Sequence, residues 1–302
     1  MNSFIKAIFG TVFSVVLVLS GTLSAADEVA VAGEDAVLQA DFENDPDLYW
    51  TPERMEKADL NSAESSLDSL TTYSASKPEK QDYVPKTIGR LYFTNARGED
   101  RVCSASVVNS RTQNIIITAA HCVYTRNTGW NKNIVFIPAY DNGSAPFGKW
   151  RSVGKVASSA FTKNNMNKYD YAFVKLANEN GKTVQETVGG NAVAIDQGFE
   201  HSGVTFWGYP SIMNGKTNRS IWKCAGETTR RAPKSDDAVM ECGLAGGASG
   251  GPWFITMDSA DSGQIFAVYS RTSAGNTNVA YAAPLTKEAL GFLKTAEDSF
   301  IQ

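Results

Sequence analysis

From about residue 84 onwards, short apolar or alternating runs are separated by clusters of Gly, Asn, Asp and Ser. These runs lie at residues 88–93, 102–108, 115–119, 134–140, 171–176, 204–209, 265–269 and 279–283. Many short β-rich runs at such spacing predict an antiparallel sandwich or barrel. Only residues 286–300 have helical periodicity, with Leu290, Leu293 and Ala296 on one face.

The first 26 residues have the pattern of a secretory signal. Lys6 gives a positive start, residues 7–19 are uncharged and apolar, and small residues at 24–26 fit a cleavage site. An uncleaved membrane anchor is the alternative, but the polar residues and glycines within the run disfavour it. We therefore expect a secreted protein, extracellular or periplasmic, without stable membrane association after signal cleavage.

Residues 27–83, here called the leader, are strongly acidic. Residues 27–84 hold 15 acidic and 4 basic residues, a net charge of −11, whereas residues 85–302 hold 17 acidic and 23 basic residues, a net charge of +6. This asymmetry is typical of a pro-segment that docks on its own domain, although an acidic disordered linker has a similar composition.

We predict that the leader is largely irregular. The exception is a short helix, which Thr51 could cap with Pro52 at its first position. Residues 62–80 are rich in Ser and Thr, which makes them the expected place of proteolytic removal.

An even number of cysteines in an exported chain favours disulfides over metal ligands or reactive thiols. The four cysteines are Cys103, Cys122, Cys224 and Cys242, and three pairings are possible. No pair has the close spacing of a zinc site, and the only histidines are His121 and His201, so we expect no metal. Because no phosphate-binding glycine loop precedes a helix, we also expect no cofactor and no nucleic-acid partner.

Residues 247–251, Gly-Ala-Ser-Gly-Gly, present Ser249 as a candidate nucleophile. A glycine-rich loop lets backbone N–H groups approach a substrate carbonyl and stabilise the oxyanion that forms there. The motif fits the nucleophile elbow of α/β-hydrolases, the serine turn of trypsin-like proteases, or a plain hairpin turn. An α/β-hydrolase such as a lipase or esterase has its histidine after the serine, and no histidine follows His201, which disfavours that class.

His121 is the candidate general base. It follows the apolar run at residues 115–119, and a histidine that leaves a buried strand beside a disulfide would be held rigidly. Cys103 lies one hairpin upstream, where it could bridge to Cys122 across adjacent strands. A structural histidine is the alternative.

With these motifs the chain resembles the chymotrypsin-like serine peptidases, most closely their secreted bacterial glutamyl-endopeptidase-like branch. The resemblance covers about residues 84–302, and its motifs lie at residues 103–108, 118–122, 208–210 and 247–252. It implies two antiparallel six-stranded β-barrels with a C-terminal helix. It also implies a monomeric serine endopeptidase that acts on protein or peptide substrates and is restrained by its own leader in cis.

The resemblance implies a third catalytic residue, an aspartate before a buried strand. Asp170 precedes the run at residues 171–176, 49 residues after His121 and 79 before Ser249. Asp141 and Asp196 lead less directly into buried strands. In the implied mechanism Ser249 attacks, His121 transfers the proton and Asp170 orients the imidazole.

The oxyanion hole is expected to consist of the N–H groups of Gly247 and Ser249. Ala248 stands between them, where trypsin-like enzymes have an aspartate that pairs with a new N-terminal ammonium. We therefore predict that this loop forms without a free N-terminus at the start of the domain.

The specificity pocket departs from the glutamate-specific branch, which reads its substrate with a histidine and a hydroxyl. The matching positions hold Tyr269 and Leu244, so glutamate specificity is not expected. The expected lining has no carboxylate, which favours a small or apolar side chain, although Arg271 at the rim could attract an acidic one. The expected pocket residues are Gly243, Leu244, Tyr269, Ser270, Arg271 and Val279.

Cys224 and Cys242 match no standard bridge of the family, and their mutual pairing is favoured because Cys103 with Cys122 uses the other two.

His201 is expected to be a loop histidine without a catalytic role. The competing function is a non-catalytic secreted binding or regulatory protein on the same fold. All three catalytic positions are filled, which argues against it.

Overall fold

The computed structural model describes residues 29–30, 35–41, 45–67, 78–244, 246–273 and 276–300. The predicted signal at residues 1–26 lies outside these ranges, as does the middle of the predicted cleavage region, residues 68–77. Within the described ranges, every helix is too short or too polar to span a bilayer.

The leader contains more regular structure than its composition suggested. Its elements are β1 (Val29–Ala30), β2 (Ala36–Ala40), α1 (Pro46–Tyr49), α2 (Pro52–Leu67) and β3 (Glu79–Lys80). The N–H of Arg54 donates to Thr51 Oγ1 (3.3 Å), so Thr51 caps α2 as predicted, but the helix has 16 residues and is not short.

The expectation of a largely irregular leader is therefore wrong for the described residues. Trp50, Met55 and Ala58 are buried in the same hydrophobic cluster as the strands of the following domain. Tertiary burial stabilises these elements, and scattered apolar residues in an acidic segment give no periodic signal of it.

Six antiparallel strands close the first barrel in the order β4-β5-β6-β11-β10-β9, and β9 pairs back with β4. Two further short strands, β7 and β8, form a separate hairpin. The strands are β4 (Ile88–Thr94), β5 (Asp100–Val107), β6 (Ile115–Thr118), β7 (Tyr124–Thr125), β8 (Gly129–Trp130), β9 (Lys132–Pro138), β10 (Trp150–Ser158) and β11 (Ala172–Leu176). Strand β2 of the leader pairs with β10, and β1 pairs with β2.

The second barrel is closed in the order β13-β16-β17-β20-β19-β18, and β18 pairs back with β13. The barrel strands are β13 (His201–Gly208), β16 (Trp222–Arg230), β17 (Ala238–Glu241), β18 (Pro252–Met257), β19 (Gly263–Ser273) and β20 (Asn276–Pro284). Outside the barrel lie β12 (Ala192–Val193), and β14 (Ile212–Met213) with β15 (Lys216–Thr217), which form a hairpin. Strand β3 pairs with β16, and β12 runs parallel to β19. The predicted pair of six-stranded barrels is confirmed.

After the leader, the described residues form three α-helices: α3 (Ser159–Thr162), α4 (Val184–Val188) and α5 (Lys287–Asp298). Helix α5 confirms the predicted C-terminal helix, but its buried face differs from the predicted one. Ala289, Phe292 and Ala296 are buried, whereas Leu290 is 44% exposed. The helix packs against the first barrel, and that contact turns Leu290 towards solvent.

The structure has both disulfides that the sequence favoured. Cys103–Cys122 joins β5 to the turn after β6, and Cys224–Cys242 joins β16 to the residue after β17. The first disulfide therefore holds the turn that carries His121.

Candidate active site

Neighbouring strands bring His121 and Asp170 together. His121 lies in a single helical turn, Ala120–Cys122, shortly after β6, and Asp170 lies shortly before β11. Strands β6 and β11 are antiparallel partners, with Thr118 opposite Ala172. In such a pair the end of one strand lies beside the start of the other, so the two side chains meet.

The carboxylate of Asp170 is only 2% exposed and receives three different donors. His121 Nδ1 lies 2.8 Å from Oδ2, the His121 backbone N–H donates to Oδ1 (3.0 Å), and Ser270 Oγ donates to Oδ2 (2.5 Å). Burial alone would raise the pKa of Asp170, but the charge of His121 and these hydrogen bonds lower it below its ordinary value. The ionised carboxylate fixes Nδ1 as the protonated nitrogen, so Nε2 is the nitrogen available for proton transfer.

Glycine lets the loop of Ser249 approach the histidine turn. Gly250 has φ +82°, and a Cβ there would clash with Thr118 Oγ1 and lie 2.8 Å from Ala119 N. Thr118 and Ala119 directly precede the helical turn of His121. The carbonyl of Ser249 also accepts a hydrogen bond from the N–H of Ser104 (2.7 Å) on β5. Close backbone approach to the histidine turn therefore explains the glycine.

The structure thus joins His121 directly to Asp170 and packs the Ser249 loop against the strand that leads to His121. Among the described residues, no hydrogen bond joins the Ser249 hydroxyl to His121. Catalytic hydrogen bonds often tighten only when substrate binds. The contact between Ser249 and His121 remains a prediction.

The carbonyl groups around Ser249 are committed to partners inside the protein. Gly247 O accepts from Ser104 Oγ (2.9 Å), and Ala248 O accepts from the N–H of Gly251 (2.9 Å). Within the described ranges, the N–H groups of Gly247 and Ser249 have no acceptor. Two unpaired N–H groups beside a candidate nucleophile are what an oxyanion hole requires.

Ala248 occupies an apolar site. It is fully buried, and a Cβ on Gly208 would lie 3.0 Å from the Cβ of Ala248. A carboxylate at this position would need a buried counter-charge, and the alanine has no such need.

Tyr269 fills space beside the predicted pocket base. Its ring stacks on Phe206 with a centroid distance of 4.8 Å, and its hydroxyl donates to Leu244 O (2.9 Å). Burial raises the pKa of Tyr269, so the phenol is neutral. Gly243 and Leu244 are buried, and Val279 is half-buried on β20, opposite the last residue of β17.

The rim of the predicted pocket contains an ion pair that the sequence did not predict. Arg271 Nη2 lies 2.7 Å from Asp237 Oδ2, and Arg231 Nη1 lies 3.3 Å from the same oxygen. The Asp237 carboxylate is buried, so the charge of Arg271 is already balanced. Nothing in the sequence distinguishes Asp237 from its neighbour Asp236. Ser270, expected in the pocket, directs its hydroxyl to Asp170 instead.

The rival residues lie elsewhere. Asp141 is exposed in a tight turn with Ser144, and the N–H of Asp196 pairs with Leu285 O. In the part of the chain that the structure describes, neither carboxylate is paired with His121. His201, which was expected in a loop, lies instead at the start of β13, with its ring 4.6 Å from that of Phe266.

One group of potential metal ligands occurs near the site. Over the described ranges, the only three His, Cys, Asp or Glu residues whose ligand atoms lie close together are Cys103, His121 and Cys122. Both sulfurs belong to the disulfide, so neither is a thiolate that could bind an ion.

Two closed antiparallel barrels, with a His–Asp pair and a glycine-flanked serine loop where they meet, define the chymotrypsin-like class of serine peptidases. The family described as "Lysyl endopeptidase, C-terminal domain" matches residues 67–207. The protease Anisep from Arthrobacter nicotinovorans is 29% identical, with a TM-score of 0.67, and the match covers 74% of this chain and 100% of Anisep.

The thermostable serine protease AL20 from an extremophilic microorganism is 30% identical, with a TM-score of 0.65, over 71% of this chain and 98% of AL20. A Glu endopeptidase shares the fold at 19% identity and a TM-score of 0.61, over 76% of this chain and 100% of its own. The chain belongs to the chymotrypsin-like serine peptidases.

A curated relative matches over a shorter stretch. The extracellular metalloprotease of Bacillus subtilis (strain 168) is 32% identical over 82 residues, which are 27% of this chain and 25% of that protein. The match therefore spans only a quarter of the relative's length.

Proposed function

We propose that the chain is a secreted serine endopeptidase, made as a precursor with an acidic leader, that hydrolyses peptide bonds through Ser249, His121 and Asp170. The observation that carries the proposal is the buried Asp170 carboxylate, 2.8 Å from His121 Nδ1, beside a serine loop that glycine brings against the histidine turn. Two disulfides suit an exported chain, because disulfides persist in oxidising compartments.

The proposed reaction is acyl transfer. Ser249 Oγ attacks the scissile carbonyl while His121 Nε2 accepts its proton, and His121 then gives the proton to the leaving amine. Asp170 holds the tautomer and stabilises the imidazolium. Water then attacks the acyl-enzyme with the same proton transfers, which releases the acid product and restores Ser249.

The N–H groups of Gly247 and Ser249 stabilise the oxyanion in this proposal. Loss of one such donor costs about 10²- to 10³-fold in rate in well-studied serine proteases. Because Ala248 places no carboxylate behind the loop, the loop needs no N-terminal ammonium. Extending the processed N-terminus by one residue should leave activity intact, and complete loss of activity would reject this point.

The proposed substrates are proteins or peptides with a small or apolar residue before the scissile bond. Tyr269 occupies the interior beside Leu244, which limits the space. The matched family is described as lysyl endopeptidases, and a lysine substrate requires an unpaired carboxylate. Asp237 is already paired with Arg271 and Arg231, so we do not expect lysine specificity.

Labelling with an active-site phosphonylating reagent tests the proposal. The processed protein should carry one phosphonyl group on Ser249, and the Ser249→Ala variant should carry none. Digestion of a peptide library, with sequencing of the cut sites and of the new N-terminus, then reports specificity and maturation together. A folded protein that neither reacts nor cuts would be the non-catalytic binding protein.

A further inference from the structure

Asp59 of the leader is the centre of a buried charge cluster. Its side chain and that of Arg90 are fully buried, with 2.5 Å between Arg90 Nη2 and Asp59 Oδ1. Arg219 Nε lies 2.8 Å from Asp59 Oδ2, and the Tyr92 hydroxyl lies 3.3 Å from both carboxylate oxygens. Helix α2 thus supplies the only carboxylate that faces these two arginines within the described ranges.

The cluster requires the leader. Burial by itself would lower the pKa of Arg90, but the charge of Asp59 raises it, so Arg90 remains a cation. Removing the carboxylate would leave an uncompensated charge inside the protein, which is strongly destabilising. A break in the chain after α2 leaves all these contacts in place.

A second buried pair fastens the start of the leader. Asp41 accepts from Lys155 Nζ and from Ser152 Oγ (2.5 Å), and Lys155 is fully buried. Strand β2, just before Asp41, pairs with β10 over five residues. The acidic leader and the basic body therefore meet through specific buried pairs, as their opposite net charges suggested.

Asp59 also connects the two barrels. Arg90 lies on β4 of the first barrel, whereas Arg219 lies in the second barrel between β15 and β16. The loop that precedes Arg219 supports the serine loop, because the N–H of Ser211 donates to Gly246 O (2.7 Å). The leader helix is thus attached to the segment that supports the proposed oxyanion hole.

The end of α2 reaches the edge of β5 beside Ser249. Ser104 N–H donates to Ser249 O (2.7 Å), and two residues earlier Val102 N–H donates to Ser62 Oγ of α2 (3.1 Å). N–H groups two residues apart in a strand point to the same side and lie about 7 Å apart. Helix α2 and the serine loop therefore occupy neighbouring positions on one strand edge.

An extended peptide can pair with a strand only along an edge that is not already occupied. A substrate that crosses Ser249 towards β5 would meet α2 at Val102. Asn61 of α2 occupies the next position along the same edge, because its side-chain amide donates to Asp100 O (3.1 Å).

We propose that α2 is an inhibitor in cis that covers the β5 edge of the substrate cleft, and that Asp59 keeps it there after the chain has been cut on the C-terminal side of α2. The proposal rests on the proposed peptidase function. Cleavage between the leader and the domain is then insufficient for full activity, and the leader must also be released from Arg90 and Arg219.

The test replaces residues 68–77 of the full-length chain with a recognition sequence for a site-specific protease. After cutting, size-exclusion chromatography and mass spectrometry in the Ser249→Ala background measure whether the leader peptide stays bound. Peptide turnover is measured in the same chain with Ser249 intact. Asp59→Asn weakens the cluster, and Glu56→Gln is the matched control, because Glu56 is an exposed carboxylate on the same helix.

The cut parent and cut Glu56→Gln should retain the leader, whereas cut Asp59→Asn should lose it and turn over peptides at least about tenfold faster. If Asp59→Asn fails to fold, Arg219→Gln gives the same comparison. Arg219 is partly exposed, and its replacement leaves no buried cation without a counter-charge. Release of the leader from the cut parent would overturn the proposal, as would equal turnover with the leader bound and released. Absence of turnover in every variant, together with no labelling of Ser249, would instead refute the peptidase function on which the proposal rests.

Discussion

Ser270 donates a hydrogen bond to Asp170, with 2.5 Å between Ser270 Oγ and Asp170 Oδ2, and both side chains are buried. Ser270 belongs to β19 of the second barrel, whereas Asp170 precedes β11 of the first. The carboxylate that orients His121 is therefore held from both barrels, and its geometry depends on how the barrels meet.

Ser270→Ala should lower kcat about tenfold, equivalent to about 1.4 kcal/mol, with little change in KM. Losing a donor makes the pKa of Asp170 less strongly lowered, so at the acid limb of the profile the variant should lose more of its rate than the parent as the pH falls towards 4. Ser270→Thr, which keeps the hydroxyl, should restore most of the rate. Steady-state kinetics from pH 4 to 9 checks this, and an unchanged kcat and acid limb would show that Ser270 has no positioning role.

His121→Ala should abolish peptide turnover, with a loss of at least about 10⁴-fold, and Ser249→Ala should do the same. The double variant should be no worse than either single variant, because the two residues act as a unit. His201→Ala is the matched control, since His201 packs against Phe266 away from the site. Additive losses, or an equal loss in His201→Ala, would contradict the proposed triad.

The two disulfides provide a comparison at nearly equal loop length, because they close loops with sequence separations of 19 and 18. Replacing either pair by alanine should cost about 3 kcal/mol of unfolding free energy. Loss of Cys103–Cys122 should also lower kcat by about tenfold to a hundredfold, because Cys122 adjoins His121. Loss of Cys224–Cys242 should leave kcat nearly unchanged, and urea unfolding with steady-state kinetics distinguishes the two.

Asp170 should contribute to acid sensitivity. Its pKa is lowered in the folded protein, so its stabilisation is fully present above the ordinary value of 3.8 and is lost as the pH falls through the lowered value. In the Ser249→Ala background, the difference in unfolding free energy between Asp170 and Asp170→Asn should therefore be largest near pH 6 and shrink towards pH 3. Urea midpoints at both pH values measure it, with exposed Asp236→Asn as the control. A difference that does not shrink would contradict the lowered pKa.

Tyr269 should limit the size of the accepted side chain. Tyr269→Ala removes the ring beside Leu244, so cleavage after large apolar residues should rise at least about tenfold relative to cleavage after alanine. Tyr269→Phe keeps the volume and loses only the hydrogen bond to Leu244 O, so its preference should match that of the parent. Competition assays with paired peptides measure the ratio, and an unchanged ratio in Tyr269→Ala would place the pocket elsewhere.

Much of the fold follows from local pattern. Short β-rich runs such as residues 115–119 and 171–176 became β6 and β11, and the helical period at residues 286–300 became α5. Longer strands with mixed polarity, such as β10, contain no apolar or alternating run that the sequence analysis could recognise. One such strand can pair with different partners along its length. The motifs around His121 and Ser249 indicated nucleophilic catalysis, because a histidine and a serine in a glycine-rich loop act together as base and nucleophile in few sequence arrangements.

The sequence did not reveal Ser270 as a partner of Asp170, or Asp237 as a partner of Arg271. A hydroxyl or a carboxylate in a strand or loop has no pattern that names its partner 34 or 100 residues away. The leader shows the same limit. Its charge predicted attraction to the body, but its helix and its insertion at Asp59 depend on a buried site that exists only once the barrels have formed.

The sequence by itself determined the alternation of strands and turns, the even number of cysteines and the opposite net charges of leader and body. It also determined which kinds of reactive side chain the protein has. These properties depend on neighbouring residues or on totals along the chain. Only the tertiary structure decided which distant groups touch: which donors hold Asp170, which charge balances Arg90, and which strand edge α2 covers. Burial and hydrogen bonding select such partners through the packing of both barrels, and that packing is a property of the whole folded chain.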